Sequence, residues 1–309
     1  MRAKSVNEMS QGTLEIDIKA QGELVSGLPA VFDAVVSGQA DMYHAADYYY
    51  VGQHPAFGFF TAVPFGMNVV ELNTWYYHQG GHELHLELGE EFGLVSFLAG
   101  NTGAQGGGWF NKKINSPEDF QGLKFRMPGL GGAALGKLGA SVQAIPGSEV
   151  YQALASGTID GTEWIGPWAD EKAGFYEITK LYYSSGFHEP GSGLALGINA
   201  DRWNSLKPEH QKIIEVAAGE ANLWNHGQYL ANNGEALKRL VDKGVEILEF
   251  NDAVWNAFGE ASNAIMEEHM DDPMFKKTFE SVRAGIKSTS AWWSVAEGAY
   301  TSQRNRILG

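Results

Sequence analysis

The chain has 309 residues, with 22 Lys and Arg against 37 Asp and Glu, so its formal net charge is −15 and its length suits roughly two domains of ~150 residues. An apolar share of 44% with 19% charged residues is a globular balance and excludes intrinsic disorder. The acidity excludes non-specific nucleic-acid or anionic-lipid binding, no apolar run reaches the ~20 residues of a spanning helix, and zero cysteines remove disulfides, thiol nucleophiles and cysteine-zinc sites.

Met1-Arg2-Ala3-Lys4 leads into a polar helix rather than an apolar leader, so either the protein is cytosolic or a leader has been removed. The first residues read as the end of an amphipathic helix, with Val6 and Met9 apolar and Gly12 at the stop. Leu14-Glu15-Ile16-Asp17-Ile18 alternates with period two and predicts a half-buried strand. A chain that opens in mid-helix implies a further element upstream of Met1.

VFDAVVSGQADM at 31–42 reads as a helix closed by Gly38 that turns into a parallel strand, and VYQALASGTIDG at 150–161 repeats the pattern around Gly157. The repeat is either a common helix-to-strand connection or the mark of two similar α/β lobes. Ser116-Pro117-Glu118-Asp119 has the N-cap, first-turn proline and acids of a helix start. Gly122 ends that short helix, and Leu123 to Met127 follow as a strand. A long helix is predicted from about Ser205 to Lys243, about 50 Å at 1.5 Å per residue and long enough to cross two lobes. Val245 to Phe250 reads as a strand, followed by helices over 252–271 and 273–285 and an amphipathic tail with Trp292, Trp293 and Tyr300.

Four constellations could carry chemistry. His78, His82 and His85 could share a helix face and bind a transition metal, or simply form a solvated polar face. Gly129-Leu130-Gly131-Gly132-Ala133-Ala134 matches the dinucleotide fingerprint, which would make the chain a nicotinamide-dependent dehydrogenase. That motif expects an acid at the end of the next strand, whereas the nearby Glu149 opens a helix, and Pro128 interrupts the approach. The glycine-rich stretch 100–109 lets backbone approach a ligand, with Asn101 and Gln105 as neutral partners, or else serves as an inter-lobe hinge. Arg126 ends an otherwise apolar strand and suits two-pronged capture of a carboxylate. Glu163 and Glu189 either form a salt-bridge network with it or, a better fit, a cation site beside an anion site.

TAVPFGM, NTGAQGGGWF, INSPEDFQGLKFRMPGLGG, SGTIDGTEWIGPW and FHEPG occur in this order, and together they resemble the extracytoplasmic solute-binding subunit of tripartite ATP-independent periplasmic (TRAP) transporters. Within that family the chain looks like the branch that binds 2-oxo acids, lactate and related monocarboxylates. The resemblance implies a non-enzymatic, periplasmic, two-lobed α/β receptor with a hinged cleft, a lobe-crossing helix and a C-terminal helical extension. It implies lobe I from 1–100 plus about 188–220, lobe II from 101–187 plus about 221–250, and the extension over 251–309. Carried over by residue, Arg126 pairs with the ligand carboxylate and Gln105 contacts ligand and metal. Glu163, the Trp164 carbonyl and Glu189 hold a metal cation, Na⁺ or Ca²⁺ with a lean to Na⁺. Trp164, Tyr48 and Tyr49 face the ligand, and Asn101 is a further ligand contact. Asp47 stands where many relatives are neutral, and its charge would disfavour a second ligand carboxylate. The implied partners are a small carboxylate, the membrane permease subunits and a second copy that exchanges C-terminal helices, with no nucleic acid. A ligand sensor for a membrane kinase is the alternative partner class.

Overall fold

The computed structural model describes residues 3–143 and 145–308; Met1 and Arg2, where the predicted opening helix begins, lie outside the described residues. In the first part of the chain, helices α1 (Ala3–Met9) and α2 (Leu28–Val36) precede strand β1 (Met42–Ala45). Helices α3 (Val69–His78) and α4 (Gly81–Glu90) follow, then strand β2 (Leu94–Asn101). The middle of the chain alternates short strands and helices: β3 (Gly108–Phe110), β4 (Lys124–Arg126), α5 (Gly129–Lys137), β5 (Ser141–Gln143), α6 (Val150–Ala155), β6 (Gly161–Thr162), α7 (Pro167–Ala173) and β7 (Leu181–Tyr183). The chain then returns through β8 (Gly193–Asn199) to α8 (Ala200–Ser205), α9 (Pro208–Asp242), β9 (Glu246–Leu248), α10 (Asp252–Glu267), α11 (Pro273–Trp293) and α12 (Glu297–Leu308).

The strands form two sheets, and each sheet is the floor of one lobe. The first has the order β1-β8-β2 and is antiparallel throughout; the second has the order β5-β4-β6-β3-β7-β9 and is mixed. Before the C-terminal helices, the loop from β2 to β3, the loop from β7 to β8, and α9 cross between the lobes. The last has 35 residues, about 52 Å at 1.5 Å per residue. One end of α9 covers the β2 side of the first sheet, burying Ile214 and Ala218 against Phe97 and Ile198. Farther along, it packs on α7 of the second lobe, where Asn233 accepts the Trp168 N–H at 3.1 Å.

Two lobes are present, but they are not alike, one having a three-stranded antiparallel sheet and the other a six-stranded mixed one; both glycines nevertheless do what the repeat requires. Gly38 and Gly157 close their helices at φ of 76° and 73°, in the left-handed region where a side chain is strained. Only the second copy leads into a parallel pairing, because β6 runs parallel to β4 while β1 runs antiparallel to β8. The local turn is the same, but the direction of the neighbouring strand is set by distant sequence. The Leu14–Ile18 strand is absent for a related reason: the segment has no sheet partner, and Ile18 is 67% exposed. The expected long helix is α9, which starts at Pro208; the extended backbone of Leu206 and Lys207 separates it from α8.

The two C-terminal helices pack against opposite lobes. α10 lies on α5, with Phe258 stacked on Phe187 at 4.0 Å and touching Phe120 and Phe250. α11 runs beyond the predicted end at 285 and packs on α3 and α4, with Phe275 against Phe59 and the Trp75 indole N–H donated to Ser281 at 2.9 Å. Each fully buried phenylalanine contributes ~1.5–3 kcal/mol. The two helices therefore brace both lobes from behind the cleft. α12 buries nothing, and Trp292 and Tyr300 are 68% and 67% exposed.

Candidate functional site

The cleft between the lobes holds a cavity of 150 Å³, lined by Tyr48 and Tyr49 on one side and Arg126, Trp164 and Ile165 on the other. Thr102, Gln105 and Ser192, from the two crossing loops, complete its polar wall. Each group is placed by local backbone logic. Tyr48 and Tyr49 sit on one turn of 3₁₀ helix over 47–50 that follows β1. Arg126 ends β4, and Glu163 immediately follows β6, the parallel neighbour of β4; the Glu163 N–H is donated to the Arg126 carbonyl at 3.2 Å. Gln105 and Glu189 lie on the two crossing loops, which are tied together where the Gln105 N–H meets the Glu189 carbonyl at 2.9 Å.

Arg126 is 3% exposed and its Nη1 forms an ion pair with Glu163 Oε1. Its Nε donates weakly to the Ile145 carbonyl at 3.4 Å, and the guanidinium lies 5.3 Å from the Trp164 ring centre. Burial pulls the guanidinium toward neutrality, but Glu163, Tyr49 and Tyr48 more than offset that and hold it charged. A buried positive fork at a cavity wall is suited to a carboxylate.

Behind this wall the polar inventory does not balance. Gln105 donates its amide to Thr102 at 3.1 Å, but its Oε1 is buried without a partner. Glu163 Oε2 and Glu189 Oε2 are also buried and unpartnered. Buried acceptors left unmade cost ~1–3 kcal/mol each, more for charged ones. The pressure shows in Glu189, whose carboxyl is pushed up to about 7, first by burial and then by Glu163, with His188, Ser192 and Arg126 pulling the other way. Orphaned carboxylate oxygens on Glu163 and Glu189, with the orphaned amide oxygen of Gln105, are the donor types that suit a hard cation. The residues present fit such an ion: Gln105, Glu163 and Glu189 would hold it, and it would supply the positive charge that Arg126 alone lacks.

Most of the predicted site residues are therefore brought together, with two qualifications. Asn101 does not line the cavity; its Oδ1 accepts the Gly103 N–H at 2.8 Å and its N–H is donated to Asn225 at 3.0 Å, so it pins the β2–β3 crossing. Asp47 is not a cleft charge. It is fully buried behind the tyrosines, where it accepts the Tyr43 hydroxyl at 3.0 Å and pairs with His85 Nε2 at 2.8 Å. His85 Nδ1 in turn meets the Tyr76 hydroxyl at 3.1 Å. Both histidine expectations fail together, since a break at Gln79 and Gly80 separates His78 on α3 from His82 and His85 on α4, and His85 points into the core.

The glycines of the fingerprint are used for packing. A Cβ on Gly129 would stand 3.2 Å from that of Tyr48, and one on Gly131 would stand 2.7 Å from that of His188. They let the start of α5 touch groups at the cleft, with no free glycine cradle for a pyrophosphate. Sequence reasoning missed His188, Thr102 and Ser192. His188 had a visible signal, being the neighbour of Glu189 in FHEPG, whereas the two hydroxyl residues had none.

The model of the family described as bacterial extracellular solute-binding protein, family 7, matches residues 1–272. A monocarboxylate 2-oxoacid-binding periplasmic protein of Nostoc sp. is 43% identical over 299 residues, covering 96% of this chain and 82% of the relative. A TRAP transporter solute-binding protein of Bordetella bronchiseptica, solved as a dimer with calcium and picolinate, superposes with a TM-score of 0.96 at 34% identity, covering 99% of this chain and 91% of that one. A TRAP periplasmic solute-binding protein of Pseudoalteromonas atlantica, solved with sodium and pyruvate, superposes with a TM-score of 0.92 at 40% identity, covering 97% and 92%.

Proposed function

We propose that this chain, which belongs to family 7 of the bacterial extracellular solute-binding proteins and so to the TRAP receptors, captures a small 2-oxo monocarboxylate such as pyruvate, or lactate, together with a cation. It is a binding protein rather than an enzyme, like the relatives named above, and it works outside the cytoplasm as they do. The observation that carries the ligand reading is a buried Arg126 at the cavity wall together with three buried, unpartnered oxygens, on Gln105, which also lines the cavity, Glu163 and Glu189. Arg126 would take the ligand carboxylate. A cation, Na⁺ or Ca²⁺, would bridge the carboxylate and the neighbouring ligand oxygen to Gln105, Glu163, Glu189 and the Trp164 carbonyl. One guanidinium against two glutamates and a ligand carboxylate leaves excess negative charge in a low-dielectric cleft, and the cation removes it. The names of the relatives, one a 2-oxoacid binder and one solved with sodium and pyruvate, support the same ligand class.

Capture would work by closure. Tyr48 and Tyr49 belong to one lobe and Arg126 and Trp164 to the other, so a ligand that touches all four favours the closed form by differential affinity. We take the lobes as 1–100 plus about 188–220 and 101–187 plus about 221–250, with 251–309 as the bracing extension. The loaded receptor would hand its ligand to the membrane permease subunits of the transporter. The exposed Trp292, Val295, Tyr300 and Ile307 of the tail would be covered by a second copy through exchange of C-terminal helices. Truncation after Trp293 should then convert a dimer to a monomer in light scattering, and an already monomeric full chain would refute the exchange.

The test of function is calorimetric titration with pyruvate after exhaustive chelation in Na⁺-free buffer, then with each cation restored. Binding should appear only on restoration. Undiminished affinity with both cations absent would refute the bridge.

A further inference from the structure

We infer that the cation position has a nitrogen donor, His188, which with Glu163 and Glu189 lets it take a first-row transition-metal dication such as Mn²⁺, Co²⁺ or Zn²⁺, in competition with Na⁺ or Ca²⁺; the inference rests on the reading that a cation binds here at all. His188 is 2% exposed, and both of its ring nitrogens are buried without a hydrogen-bond partner. An imidazole always has at least one N–H to donate and, when neutral, one lone pair to satisfy, so a core histidine normally finds partners for both. His85 in the same molecule does so, with Asp47 on one side and Tyr76 on the other. The nearest carboxylate oxygen to His188, Glu163 Oε2, is 3.7 Å from Nε2, too far for a hydrogen bond.

The ring is nevertheless held firmly where it is. It packs edge-on to Phe187 with ring centres 5.7 Å apart. A Cβ on Gly131 would fall 2.7 Å from the histidine Cβ, and one on Gly186 would fall 2.4 Å from its Cε1. Neither glycine has the positive φ that would by itself call for glycine. Gly131 is kept bare by the histidine Cβ and Gly186 by the imidazole ring. A side chain built in this tightly, with no hydrogen-bond partner for either nitrogen, is waiting for something that is not protein.

What it faces is the acidic pair. One ligand atom each from Glu163, His188 and Glu189 lie within 4.8 Å of one another, and all three residues are buried. Metal–donor bonds of ~2.0–2.2 Å place neighbouring donors ~3–4 Å apart, so a small inward movement closes the set on one ion. Oxygen-only sets favour hard cations, whereas an imidazole added to carboxylates shifts preference along the series from Mn²⁺ towards Zn²⁺. Calcium and sodium gain little from the nitrogen. The same position would therefore have two affinities, a nitrogen-independent one for hard cations and a nitrogen-dependent one for transition metals.

The experiment uses the full chain, stripped of metal, in wild-type, His188→Gln and His188→Ala forms, each checked for an unchanged melting curve. Mn²⁺, Co²⁺, Zn²⁺ and Ca²⁺ are titrated separately with and without pyruvate, and the Mn²⁺ form is examined by electron spin echo modulation for imidazole nitrogen. The wild type should show the nitrogen coupling and bind Co²⁺ and Zn²⁺ ~10–100-fold more tightly than either variant, on the scale of losing a supporting ligand group. Ca²⁺ affinity should fall less than that of Co²⁺ or Zn²⁺, because a hard ion does not depend on the nitrogen as a ligand. Equal transition-metal affinity in wild type and both variants, or no nitrogen coupling, overturns the inference. Should no transition metal bind while Ca²⁺ or Na⁺ still supports pyruvate binding, the inference falls and the bridged-ligand reading stands. Should no cation of any kind affect pyruvate binding, that reading falls as well.

Discussion

Replacing Arg126 by Met keeps volume and removes charge, and the structure sets what should follow. In the free protein, Arg126 forms an ion pair with Glu163, and both side chains are almost wholly buried. Breaking a buried pair by deleting one partner costs ~3–5 kcal/mol because the survivor keeps its desolvation penalty. Glu163 would then stand beside Glu189, already pushed up to about 7, with no positive group to balance them. The pair should relieve this by holding a proton at neutral pH, so the stability loss should fall toward the lower end of that range. The ligand has no such escape, since its carboxylate loses the fork and meets the freed Glu163. A loss of ~3 kcal/mol in affinity corresponds to more than a hundredfold in Kd. Calorimetric titration with pyruvate at saturating cation, paired with urea denaturation, measures both quantities. Arg126→Lys should recover stability better than affinity, because an ammonium restores charge without the planar fork. Wild-type affinity in Arg126→Met would show that the ligand carboxylate is held elsewhere.

Three further outcomes follow from the same geometry. Asp47→Asn should lower the unfolding free energy by about 2 kcal/mol in urea titrations, because it weakens charge-assisted bonds from Tyr43 and His85 in a dry core; an unchanged midpoint would mean the network carries no stability. Gly131→Ala forces a Cβ to 2.7 Å from that of His188 and should cost ~1–3 kcal/mol as overpacking, read as a lower melting temperature; unaltered melting would contradict the close approach. The third outcome concerns pH, since the Glu189 carboxyl is pushed up to about 7 by burial, with Glu163, His188, Arg126 and Tyr48 facing it. Cation binding requires the ionised form, so affinity should rise with pH to about 7 and then level off. Calorimetry in buffers of different ionisation enthalpy should find nearly one proton released per cation at pH 6 and almost none at pH 8. Equal proton release at both would place the titration on another group.

Much of the site could be read in one dimension, because the groups that bind are carried by short local devices. Arg126 ends a strand whose other residues are apolar, and Glu163 follows the turn that Gly157 closes. The capping box at Ser116 and the left-handed Gly38 are likewise properties of a few adjacent residues. Relations between distant residues were not available in that way. Period-two alternation at Leu14–Ile18 marks a chain that could lie on a sheet, but whether a neighbouring strand is there to bond it is decided elsewhere. Helix-to-strand turns of the same sequence pattern lead into antiparallel pairing at β1 and parallel pairing at β6. Asp47 looked like a cleft charge until the fold buried it in the core against His85, 38 positions away. His188 could be seen beside Glu189, yet its meaning came only from the absence of any hydrogen-bond partner for its nitrogens and from two glycines that make room for it. Local backbone preference acts over a few residues and is written in the sequence. Burial, pairing and net charge at a point are sums over everything folded around it, and only the tertiary structure assembles those sums.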